Sequence, residues 1–172
     1  EFKLKITLSK NIKYTLLPLP YFEIFESTLY LETKDNANEF GKIKKIKIYV
    51  SPLNLYKQEK LKINKILFQE SLFNLNNNSW KFMSDYLQNK ISKKKIIVEK
   101  SKIFLTKNND YEALAIFTID NLETFFNDKK NHNKLNIYGK AYNTKFNLKW
   151  TSDLNNLGKS KFIIKFKEIN LA

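Results

Sequence analysis

The residues able to do chemistry in this chain are few and poorly assembled. Glu23 and Glu26 lie three apart, and Asp110 and Glu112 two apart. Such carboxylate pairs could divide acid and base roles if one member were kept protonated. Both pairs fall in turns or on polar faces, so they read as solvated, ionised groups. His132 is the one histidine, in the run Asn131-His132-Asn133; it has no partner for a triad or a metal and reads as a solvated loop residue. The chain has no cysteine, which excludes disulfides and thiolate metal sites. Neither an enzyme nor a cofactor is expected.

Charge is the remaining candidate. The 172 residues carry a net charge of +14, and all 31 basic residues are Lys. Lysines interleaved with Phe and Tyr suit single-stranded nucleic acid, but Arg is the better fork for phosphates and base edges. No ribonucleoprotein-type strand motif is present, and the lysines are spread along every ribbon. Much of the excess is what an AT-rich genome produces, and the rest suits anionic headgroups or acidic surfaces. A basic nucleic-acid-binding β-domain and a structural or adhesion β-domain are the alternatives.

What would position any such groups is a series of amphipathic ribbons. Phe2, Leu4, Ile6 and Leu8 alternate with polar residues, as do Ile46, Ile48 and Val50, then Phe146, Leu148 and Trp150, then Phe162, Ile164 and Phe166. Alternate side chains of a strand share a face, so each ribbon is apolar on one side and wet on the other. The best floor candidates are Phe2, Leu4, Ile6, Leu8, Ile46, Ile48, Val50, Phe68, Phe146, Leu148, Ile164 and Phe166.

Strands are expected over residues 2–17, 21–32, 43–50, 61–75, 96–107, 111–119, 122–127, 135–142, 145–150 and 161–171. Pro18 and Pro20 mark a corner, and the alternation slips at Lys44-Lys45, suggesting a bulge. Trp80, Met83, Leu87 and Ile91 recur at helical spacing, predicting one amphipathic helix over residues 80–91 after the capping run Asn76-Asn77-Asn78-Ser79. Trp80 and Met83 are expected to pack that helix on the sheet. Residues 128–133 read as a loop and Asn143-Thr144 as a hairpin turn. Gly41, Gly139 and Gly158 are the three glycines available for tight turns, so Asn supplies most of them. Ile66-Leu67-Phe68-Gln69-Glu70-Ser71 aligns with Ile96-Ile97-Val98-Glu99-Lys100-Ser101 at an offset of 30, which reads as a hairpin-sized unit used twice.

From Leu17-Pro18-Leu19-Pro20 onward the chain resembles the AsmA-like family. The likeness runs through the amphipathic strand with Phe25, Thr28, Leu29, Tyr30 and Leu31, then Phe40-Gly41, the strand from Ile43 to Val50, and Ser51-Pro52-Leu53. It continues in the strand from Leu61 to Phe68 and in Leu72 to Leu75 with its Asn76-Asn77-Asn78-Ser79-Trp80 turn. It ends in the hairpin Leu135-Asn-Ile137-Tyr-Gly139-Lys-Ala141 with Phe146-Asn-Leu148. Asn and Ser stand where that family often has an Asp-Gly turn, and the family's usual anchoring helix is not in this sequence.

The resemblance implies a mainly β fold: an extended antiparallel meandering sheet curled into an apolar groove, similar to TamB and the chorein-type bridge-like lipid transfer proteins. Residues 1–172 would then be a single β-groove segment of a longer protein anchored in the bacterial inner membrane. The segment would lie in the periplasm beside neighbouring segments of the same chain. Its partners would be phospholipid acyl chains passing between inner and outer membrane, and no enzymatic activity or cofactor is implied. Ile48, in mid-ribbon, is the position where an added charge is expected to block lipid without unfolding the sheet.

Overall fold

The structure, a computed structural model, describes residues 3–32, 37–54, 61–107, 113–155 and 159–167. Its elements are β1 (Lys3–Thr7), β2 (Ile12–Thr15), β3 (Tyr21–Glu32), β4 (Ala37–Val50), β5 (Ile63–Leu75), α1 (Asn77–Gln88), β6 (Lys95–Thr106), β7 (Ala113–Asn127), β8 (His132–Ala141), β9 (Thr144–Asp153) and β10 (Ser160–Phe166). A short 3-10 turn at Pro52–Asn54 follows β4. Among the described residues the fold is mainly β: one ten-stranded sheet, mostly antiparallel and not closed into a barrel, with one α-helix. From β3 to β10 each strand lies beside its sequence neighbour, while β1 and β2 both pair with β3.

One pair departs from the antiparallel expectation. β5 and β6 run parallel, and every registered couple, from Lys65↔Lys95 to Leu75↔Leu105, is 30 residues apart. The repeat is therefore no hairpin. It is a strand copied beside itself, and the offset spans the paired length of β5 together with the crossover through α1. Asn76 starts that helix, its side-chain oxygen accepting a hydrogen bond from the Ser79 backbone N–H at 2.9 Å, which satisfies one of the free donors of the first turn.

The slip foreseen at Lys44-Lys45 is one position of a crease that crosses five strands. In β3 the core-facing residues change parity between Ile24 and Ser27, in β4 between Ile43 and Ile46, and in β5 between Phe68 and Ser71. The change recurs in β6 between Val98 and Ser101, and in β7 between Ile119 and Leu122. Register is the same on both sides of the crease at each of these interfaces, because neighbouring strands slip together. Only at β8 is it absorbed, as a register shift between Ile119 and Asn121. Glu26, Glu70 and Lys100 carry it with φ of +52°, +53° and +49°, a region unfavourable to any side-chain-bearing residue.

The residues along the crease alternate in charge from strand to strand: Glu26, Lys44, Glu70, Lys100, Asp120. All five are exposed. Lys44 bonds Glu70, and its ammonium holds the Glu70 carboxyl below the usual carboxylate range. Beneath them Ser27, Ser71 and Ser101 are fully buried. Ser101 Oγ accepts from the Ser71 backbone N–H at 3.0 Å and donates to the Glu99 carbonyl at 2.8 Å, so it stands in for a ladder bond that the crease removes.

Other expectations shift for local reasons. The ribbon over residues 2–17 divides into β1 and β2, because the crease in β3 leaves residues 8–11 without a regular partner. The strands expected over 111–119 and 122–127 join as β7 through the crease, and residues 111 and 112 lie outside the described residues. The loop over 128–133 shrinks to a turn that ends at Asn131, leaving His132 and Asn133 in β8. The next hairpin turns at Tyr142-Asn143, both with positive φ, one residue earlier than expected. Two of the three glycines are not in turns. Gly41 and Gly139 lie inside β4 and β8, where the rings of Phe73 and Phe146 would touch any added Cβ, and at Gly139 it would also clash with the Thr118 carbonyl oxygen. Gly158 and Asp110 lie outside the described residues.

The helix is Asn77–Gln88, three residues earlier than read. Trp80 faces outward, 65 % exposed, in place of the expected sheet contact, because the inward stripe of the helix runs through Ser79, Phe82 and Met83. Met83 packs as expected, and Phe82 takes the place read for Trp80, against the cluster of Ile24, Leu29, Leu31, Phe40, Ile43 and Ile46. Ile91, read as the last helical position, lies beyond the helix and is buried. Asn133, wholly buried, ties the far end of α1 to the sheet: its Nδ2 donates to the carbonyls of Leu87 (2.9 Å) and Asn89 (2.7 Å), and its Oδ1 accepts from the Ile91 N–H (3.2 Å).

Candidate functional site

Directly paired residues on neighbouring strands point to the same side of a sheet. Following the register from edge to edge therefore shows what each face carries. One row reads Ile12, Ile24, Ile46, Phe68, Val98, Leu122, Ile137, Leu148, Ile164. The next reads Tyr14, Phe22, Ile48, Ile66, Ile96, Thr124, Leu135, Trp150, Phe162. Across the crease a third runs Ile6, Leu29, Gly41, Phe73, Ile103, Phe117, Ala141. At a spacing of about 4.8 Å per strand, nine strands make a greasy strip roughly 38 Å wide.

The opposite face is mixed. Its rows include Lys13, Glu23, Lys47, Leu67, Ile97, Glu123, with Leu67 buried at 6 % exposure, and Phe25, Lys45, Gln69, Glu99, Asn121. Glu23, far from being freely solvated, sits 3.5 Å from both Lys45 and Lys47 with its side chain 14 % exposed. Lys95 pairs with Glu123 at 2.6 Å. Lys47 lies over the Tyr21 ring and Lys65 over that of Tyr49. Many lysines of this face are thus engaged by carboxylates and rings within the chain.

Cover over the apolar face is uneven. A twelve-residue helix is about 18 Å long and 10–12 Å across, which suffices for two or three strands. Ile46 and Val50 are sealed at 2 % and 3 % exposure, and Ile48 and Phe68 pack against the sealed cluster. Ile48 is therefore a half-buried neighbour of the core cluster, partly covered where an open floor position was expected. Phe146 and Leu148 on β9 are half-buried. Leu4, Ile6 and Leu8 at one edge, and Ile164 and Phe166 at the other, are exposed; Phe2 lies outside the described residues. Of the twelve floor candidates, then, the structure buries two, packs two half-buried ones against the core cluster and leaves five exposed at the margins.

Ile12, Tyr14 and Phe162 belong to the same rows and are also exposed, although they were not among the twelve. Their signal was the same alternation. Ile12 and Tyr14 keep the even-numbered phase of Leu4, Ile6 and Leu8 across the break at residues 8–11, so the pattern already marked them. No helix among the described residues is long and apolar enough to cross a membrane. Comparison with protein-family models and with curated proteins returns no match.

Proposed function

We propose that the apolar face holds lipid acyl chains at its open flanks, and that the chain serves envelope biogenesis without catalysing a reaction. In this reading it resembles the AsmA-like proteins: a periplasmic module of an inner-membrane-anchored protein along which phospholipid passes toward the outer membrane. The observation that carries the reading is the continuity of the apolar rows from a sealed centre to margins that α1 is too small to cover. An acyl chain suits such a strip because its burial is non-directional, at about 0.8 kcal/mol per CH₂. A shallow strip would favour sliding over trapping.

Native mass spectrometry of the purified chain, followed by organic extraction, tests this. Phospholipid or fatty acid should co-purify, and delipidated protein should take up a diacyl lipid from micelles. Protein that is lipid-free and refuses lipid would overturn the reading, as would a tight, sequence-selective nucleic-acid complex at physiological salt.

A further inference from the structure

We infer that the end of the sheet formed by the β2–β3 and β4–β5 connections inserts into the surface of a lipid bilayer. The inference stands on those connections and not on the acyl-chain reading above, which concerns the sheet face. Three observations meet there.

The first is composition. Turns at a surface are ordinarily polar, and the β7–β8 turn at this same end of the sheet obeys the rule with Asp128-Lys129-Lys130-Asn131. The β2–β3 connection instead reads Leu16-Leu17-Pro18-Leu19-Pro20, and the β4–β5 connection carries Leu53 near its start and Leu61 near its end. All five leucines are exposed, Leu17 by 77 % and Leu53 by 82 %. One exposed leucine means little, whereas several on neighbouring turns mark a contact surface.

The second is that the fold brings the two connections together. β3 begins where β4 ends, with Tyr21 paired to Tyr49. The Val50 N–H donates to the Pro20 carbonyl at 3.0 Å, and the Ser51 N–H to the Lys62 carbonyl at 2.9 Å. The leucines therefore lie beyond the last paired residues, at the tip of the sheet. A bilayer accepts such a tip without shape complementarity, because apolar burial is non-directional.

The third is the row immediately inside the turns. Thr15, Tyr21, Tyr49, Lys65 and Lys95 are paired in succession from β2 to β6. Tyr14, on the other face at the same level, is exposed. Lys65 lies 4.2 Å from the centroid of the Tyr49 ring, and Lys47 lies 4.9 Å from that of Tyr21. Leucine outermost, then tyrosine with lysine, follows the order of a bilayer surface from acyl chains to interface and headgroups. Tyrosine suits the boundary because its ring is apolar and its hydroxyl stays wet, and the lysine stem lets its ammonium reach a phosphate.

Flotation of the full chain with vesicles tests this. The vesicles are phosphatidylcholine and phosphatidylglycerol, roughly 3:1, in about 0.5 M salt, where adsorption of a +14 chain by charge alone is screened. Wild type should float with them. Leu16→Asn/Leu17→Asn/Leu19→Asn/Leu53→Asn should lower partitioning roughly 10-fold or more and keep the wild-type melt, since all four positions are exposed. Leu114→Asn/Tyr142→Asn, exposed at the opposite end of the sheet, should partition as wild type does. Because the chain has no cysteine, Leu53→Cys and Tyr142→Cys can each carry an environment-sensitive fluorophore, a readout that holds even if the fourfold variant does not fold. On adding vesicles, emission should shift to the blue at residue 53 and stay unchanged at residue 142. Ile164→Asp should leave flotation intact, which separates the tip from the acyl-chain flank. Wild type that does not float, a folded leucine variant that floats equally well, or no blue shift at residue 53 would overturn the inference and leave the acyl-chain reading standing. Flotation lost in Ile164→Asp would assign the vesicle contact to the sheet face and overturn it too. A wild-type dimer that the leucine variant converts to monomer, with no vesicle binding, would assign the turns to a second copy instead.

Discussion

The β3–β5 centre and the β9–β10 flank carry the same rows of apolar residues and differ in what lies over them. In the centre, Phe82 and Met83 of α1 pack against the cluster that contains Ile43 and Ile46, and the sheet face becomes an ordinary core. At the flank the rows continue through Leu148 to Ile164 and through Trp150 to Phe162, but Ile164 is still 41 % exposed. Alternation alone cannot separate the two cases, since both read apolar-polar-apolar. The separation is made by the crossover: a parallel pair needs a covering connection, and that connection seals the strands beneath it.

The sharpest way to break this comparison is to place the same charge in both regions. Ile46→Asp should bury an unpaired carboxylate and cost several kcal/mol, enough to unfold a domain of ordinary stability. Ile164→Asp should stay within about 1 kcal/mol of wild type, as surface substitutions do. Urea melts followed by circular dichroism measure both, and equal costs would erase the distinction between centre and flank.

A smaller effect tests how the cover is fastened. Asn133→Ala strips hydrogen bonds from the Leu87 and Asn89 carbonyls and from the Ile91 N–H. Leaving such groups unsatisfied costs about 1–3 kcal/mol. The loss should be accompanied by faster amide exchange in α1 than in β9, and uniform exchange throughout would show that the helix is held by other contacts.

Smallest is the crease. Lys100 has φ of +49°, so Lys100→Gly should be neutral or stabilise by about 1 kcal/mol, because glycine takes that conformation freely. Lys102, two residues on, has no such φ, and Lys102→Gly should cost roughly 0.5–1 kcal/mol. Opposite signs in thermal melts support the crease as a fixed backbone feature, and matching losses contradict it.

Much of the sheet was legible because alternation is a local property. The ribbon over residues 21–32 matches β3 residue for residue, and the parity slip at Lys44-Lys45 falls where the crease crosses β4. The repeat at an offset of 30 was visible too. Its meaning was not, since identical spacing fits a duplicated hairpin or two parallel copies, and only the Asn76-capped crossover decides. Asn133 was illegible for a related reason: a polar residue in a polar run looks like loop until a helix end 44 residues away is brought against it. Of the candidate floor, residue type marked the rows, whereas exposure, which divides Ile46 from Ile164, depends on where α1 comes to rest.

Photocrosslinking with a phospholipid that carries a photoreactive acyl chain tests the central claim most directly. Wild-type protein should be labelled on the exposed ends of the rows, in peptides containing Phe162, Ile164 and Phe166, and not on Ile43 or Ile46. Ile164→Asp should keep its cooperative melt and lose most of that label. A folded Ile164→Asp protein labelled as strongly as wild type would contradict the account.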